Sequence, residues 1–67
     1  MSEHIIAQFA REVRKAFIRG AQTVRAFNKT FLIEPVTGSE YRLTTEAGDD
    51  IGFRFTSDGK TFDFAVA

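Results

Sequence analysis

The hydrophobic pattern of this chain changes period once, from about 3.6 residues to 2, and no other feature constrains its fold so strongly. Between residue 3 and about residue 28, Ile6, Phe9, Ala10, Val13, Phe17, Gly20, Val24 and Phe27 recur at steps of three and four. That spacing gathers them on one stripe of an α-helix, within a sector of roughly 100°. Beyond it the alternation is strict. Phe31 and Ile33, then Tyr41, Leu43 and Thr45, then Ile51, Phe53 and Phe55, then Phe62, Phe64 and Val66 each occupy every second position. Gly38, Gly48 and Gly59 punctuate these runs, and Asp58-Gly59 is the strongest hairpin signal among them.

The pattern predicts a helix over about 3–28 and strands over about 30–34, 40–46, 51–56 and 61–66. Together they make one domain, 1–67, of α+β class: a long N-terminal amphipathic helix packed on a four-stranded antiparallel meander (αββββ) in two layers. The first strand is the weakest element, since residues 30–34 also suit a frayed helix extension. Ser2 is placed to cap the helix, and Asn28 with the β-branched Thr30 to end it.

One mismatch is built into this arrangement. A helix over 3–28 is about 39 Å long, whereas strands of this length span roughly 17–24 Å. Either the helix bends near Gly20, or one end overhangs the sheet and exposes Ile5, Ile6, Phe9 or Phe27, which would favour a homodimer.

Composition narrows the chemistry. With 67 residues, no cysteine and eight phenylalanines, the chain has no disulfide or thiolate zinc site to staple it, and its aromatic core must supply the stability. No apolar run approaches the roughly 18 residues of a membrane span, and residues 1–10 do not form a secretory signal. The expected address is therefore the cytoplasm, with no membrane partner, and the Asn28-Lys29-Thr30 sequon is expected to stay unused.

Catalytic patterns are weak. His4 is the sole imidazole, close to the N-terminus, with no positioned third group. Gly59-Lys60-Thr61 resembles the end of a phosphate-binding loop, but position 54 is Arg instead of the required glycine, and a strand follows in place of a helix. Glu46, Asp49 and Asp50 cluster in one loop without the spacing of a calcium loop. The reading is non-enzymatic, with no catalytic residue, no metal and no cofactor.

Charge carries more information than its sum of zero. Residues 1–30 hold six bases against two acids, a balance of +4, and residues 31–67 hold three bases against seven acids, a balance of −4. Arg11, Arg14, Lys15, Ile18, Gln22, Arg25 and Lys29 recur at helical steps and form a second stripe opposite the apolar one. Ile18, an aliphatic ringed by bases, has the character of a contact anchor with a charged rim.

The expected function is that of a small regulatory or inhibitory protein, of a kind common in bacteria and their phages, binding another macromolecule and most readily a protein. The acidic turns, with Glu40, Glu46, Asp49, Asp50 and Asp58, are a secondary candidate surface. A nucleic-acid-binding module using the basic face is the alternative, disfavoured by the pI near 6.6. A self-assembling structural protein is the third reading.

Overall fold

The computed structural model describes residues 3–66; the expected cap at Ser2 lies outside them. α1 (Glu3–Ile18) is followed by β1 (Thr23–Ala26), β2 (Lys29–Pro35), β3 (Glu40–Thr45), β4 (Asp50–Ser57) and β5 (Phe62–Val66). The strands form one antiparallel sheet in the order β1-β2-β3-β4-β5, and α1 lies on one face of it. The arrangement is α+β, with five strands where the sequence pattern predicts four. The later strands agree with expectation to within one or two residues.

The extra strand comes from the predicted helix, which ends at Ile18 and not near residue 28. Gly20 has φ +80°, the left-handed conformation that glycine adopts without a Cβ penalty. Its N–H donates to the Phe17 carbonyl (3.0 Å), and the Ala21 N–H donates to the Ala16 carbonyl (3.0 Å). This pair of bonds is the Schellman ending, which satisfies carbonyls that the last helical turn leaves without partners. The helix therefore neither bends at Gly20 nor overhangs. Its 16 residues span about 24 Å, which matches the sheet and removes the mismatch in length.

Residues 23–32 form a hairpin, with Thr23 opposite Leu32 at its open end. Val24 pairs with Phe31 and Ala26 with Lys29, leaving Phe27 and Asn28 as a two-residue turn. Both have positive φ, 54° and 61°, as a type I′ turn requires. Asn28 suits that conformation; Phe27 adopts it at a steric cost. Val24 remains a core residue, now through strand alternation, with Thr23 and Arg25 exposed on either side.

The core consists of Phe9, Val13, Ala16, Val24, Leu43, Phe53 and Phe55. Phe9 meets Phe31 and Phe53 edge-on at 5.1 and 4.8 Å. Two turns along α1, Phe17 meets Tyr41, Phe55 and Phe62 edge-on at 4.9, 5.3 and 5.6 Å. The phenylalanine excess thus forms two ring clusters that hold α1 to the sheet near its middle and near its C-terminal end.

The sheet has one irregularity. Arg42 pairs with Arg54 and Thr44 with Asp50, so three residues of β4 face one of β3. Gly52, at φ +79°, makes this bulge possible, and its N–H donates to Asp50 Oδ1 (2.8 Å). Ile51, expected on the core face beside Phe53 and Phe55, is instead exposed.

Candidate functional site

The predicted basic stripe does not survive as one surface, because its residues no longer share a helix. Arg11, Arg14, Lys15 and Ile18 lie on α1, all exposed. Ile18 is 63% exposed in the final turn, with Lys15, Arg14 and Arg11 at three, four and seven residues before it. Steps of three and four put neighbours on one helix face. Arg14 also reaches β5, its guanidinium 5.8 Å from the centre of the Phe62 ring. Lys15 comes no nearer than 3.9 Å to Glu12, a loose exposed pair of little energetic weight.

Gln22, Arg25 and Lys29 sit elsewhere. Gln22 precedes β1, and its carbonyl accepts the Ile33 N–H (2.9 Å). Arg25 and Lys29 line a depression with Thr45 and Glu46, between the first hairpin and the β3–β4 turn. The basic half of the chain is therefore divided between the helix, which carries Ile18, and the first hairpin.

The acidic candidates separate in a similar way. On the sheet face away from α1, Glu34, Arg42, Asp50, Arg54 and Glu40 form a chain of alternating charge. Arg42 Nη2 and Nε both donate to Glu34 Oε1, at 2.7 and 3.2 Å. Asp50 Oδ2 lies 3.0 Å from Arg54 and 3.8 Å from Arg42, and Glu40 lies 3.8 Å from Arg54. Arg42 and Arg54 are directly opposed across β3 and β4, which by itself is repulsive. Asp50 bridges the two and offsets that repulsion. The Glu34 hydrogen bond, and then its charge, raise the Arg42 pKa above the ordinary arginine value. Glu40 and Asp50 are thus engaged within the sheet and do not form an open acidic patch.

Asp58 is also occupied. Its Oδ1 accepts the N–H groups of Lys60 and Thr61, both at 2.9 Å, and the Thr61 hydroxyl at 3.1 Å. The Thr61 and Lys60 N–H bonds favour the carboxylate and lower its pKa below the usual aspartate value. This is a turn-stabilising role, the expected one for an aspartate at the head of a β4–β5 hairpin. Glu46 and Asp49 are exposed and make no ion pair among the described residues.

His4 lines a shallow depression with Ala7, Gln8, Arg11 and Glu12. Among the described residues no three His, Asp or Glu side chains converge as a metal site would need, and no helix is long and apolar enough to cross a membrane.

An apolar groove opens where the sequence pattern offers Ile6, Phe9 and Phe27 for exposure only through an overhanging helix end. The sheet curls around α1 so that Phe27, from the first hairpin, and Val66, from β5, line the same groove with Ile6, Phe9, Phe31, Ile51 and Phe53. The groove holds about 240 Å³, and Phe27, Ile51 and Val66 are all exposed at it. Alternation places Ile51 in the core, and the helical stripe places Phe27 there unless the helix end overhangs the sheet. The available signals were Gly52 within a strand, which marks a bulge, and Gly20, which marks a helix stop.

With this geometry in view, comparison with known proteins finds nothing similar: no family model, no curated protein and no solved structure matches the chain.

Proposed function

We propose that this chain is a non-enzymatic regulatory or inhibitory protein of the cytoplasm that binds a partner protein through the exposed face of α1. The observation that carries the reading is Ile18, 63% exposed and surrounded on its own helix by Arg11, Arg14 and Lys15. An aliphatic side chain within a rim of long basic ones suits a partner with an apolar socket and acidic margins. The bases accelerate encounter, and burial of Ile18 slows dissociation. Gln22, Arg25 and Lys29 are not on α1, so helical spacing does not group them with Ile18, and they are left out of the anchor site. The acidic turns are the weaker candidate, since Glu40 and Asp50 already pair with arginines and Asp58 caps its own turn.

The test is capture of partners from the native host by the wild-type chain and by Ile18→Asp, with circular dichroism to confirm that both fold. The expected result is at least a tenfold loss of partner affinity in Ile18→Asp, the scale of a hot-spot residue. Partner binding that persists in the folded variant overturns the assignment. Retention of DNA or RNA with a steep salt dependence would transfer the site to nucleic acid.

A further inference from the structure

The two edges of the sheet are unequal. β1 is only four residues long, displays Arg25, and is the strand that α1 approaches most closely. A short strand with a positive charge beside a helix is a protected edge. β5 is paired with β4 on one side only and lies at the other end of the sheet order. Its sequence, Phe62-Asp63-Phe64-Ala65-Val66, contains no lysine, arginine, proline or glycine, and no bulge interrupts its register with β4. The charges at this edge are Asp63 and the Arg14 guanidinium over the Phe62 ring, and the strand itself carries none of the lysines, prolines or bulges that keep an edge from pairing.

The strand is also complementary to itself. We propose that two copies of this chain associate through β5, antiparallel about a two-fold axis at Phe64, to form one continuous ten-stranded sheet. In that register Phe64 faces Phe64 of the second copy, and Phe62 faces Val66, all on the side that carries α1. Asp63 faces Ala65, so the one charge on the strand meets a small neutral side chain and not its own image. A register centred one residue earlier would oppose the two aspartates, which is unfavourable. The pairing extends the ladder without moving either core, and a two-fold axis normal to the sheet keeps both α1 helices on the same side. Val66, 50% exposed and at the rim of the apolar groove, then lies against Phe62 of the second copy, the ring that Arg14 already covers. An edge of five residues is a small interface, so the association is weak and reversible. It uses β5 and not the face around Ile18, so it does not depend on the partner-binding reading.

Sedimentation velocity from micromolar to millimolar concentration tests it, using the wild type and two variants at the exposed position 65. Ala65→Lys places a base opposite each Asp63 and is expected to tighten the dimer roughly tenfold; Ala65→Asp places an acid there and is expected to loosen it by a similar factor. Ile18→Asp is expected to leave the dimer unchanged. A wild type that stays monomeric at millimolar concentration overturns the proposal. So do position-65 variants that shift the dissociation constant in the same direction. Loss of the dimer in Ile18→Asp moves self-association to α1 and also overturns it.

Discussion

The two faces of the sheet are built on different physics. The face toward α1 is aromatic and dry, with Phe55 1% exposed and Val13 and Leu43 fully buried. The face away from α1 is a chain of five charged side chains, each about a third to two-fifths exposed. Apolar burial contributes about 25 cal/mol per Å² regardless of exact geometry, whereas exposed ion pairs contribute 0–1 kcal/mol and depend on salt. The inner face therefore holds the molecule together, and the outer face chiefly disciplines register, with Asp50 keeping two opposed arginines in place.

This contrast makes graded predictions. The largest effect is expected from Phe55→Ala, which removes a ring packed between Phe17, Tyr41, Phe62 and Phe64. A loss of about 3–5 kcal/mol is expected, enough to unfold a domain of this size at ambient temperature, as urea titration or calorimetry would register. A loss below about 1 kcal/mol would mean that the two faces are energetically alike.

The second prediction concerns an exception within the outer face. Thr44 pairs with Leu32 and Asp50, is fully buried, and its Oγ1 has no hydrogen-bond partner among the described residues. Thr44→Val keeps the shape and removes the unpaired hydroxyl, so a gain of roughly 1 kcal/mol is expected in the same titration. A loss instead of a gain would show that the hydroxyl is satisfied in solution.

The smallest effect is expected from Asp50→Asn. It retains an acceptor for the Gly52 N–H and removes the charge between Arg42 and Arg54. The expected cost is under about 1 kcal/mol, shrinking further at high salt. A cost comparable to that of Phe55→Ala, insensitive to salt, would erase the distinction between the faces.

How much of this was legible in the sequence differs along the chain. The meander over residues 30–66 was readable because strand alternation is local, and Asp58-Gly59 and Gly48 announced their turns. Residues 19–28 are not legible in the same way, because Gly20, Val24 and Phe27 satisfy a helical period by coincidence. A single stripe cannot reveal that Gly20 is a stop when it also lies in phase. The excess of helix length over strand length is a sign in the pattern that the helix must stop earlier.

For the candidate site, the exposure of Ile18 and its basic neighbours on α1 follows from helical phase alone. The distribution of Arg25 and Lys29 does not, because it depends on where the helix stops. The bulge at Gly52 that exposes Ile51 is likewise a matter of how β3 and β4 register against each other.

The linear pattern by itself determined the class of the fold, the turn positions in the meander and the identity of most core residues, because 3.6- and 2-residue periods are properties of the local backbone. Tertiary structure alone decided the fifth strand, the groove at Phe27 and Val66, and the pairing of Asp50 with two arginines. Those features depend on which carbonyls close the helix and which strands meet, and such contacts join residues far apart in the chain.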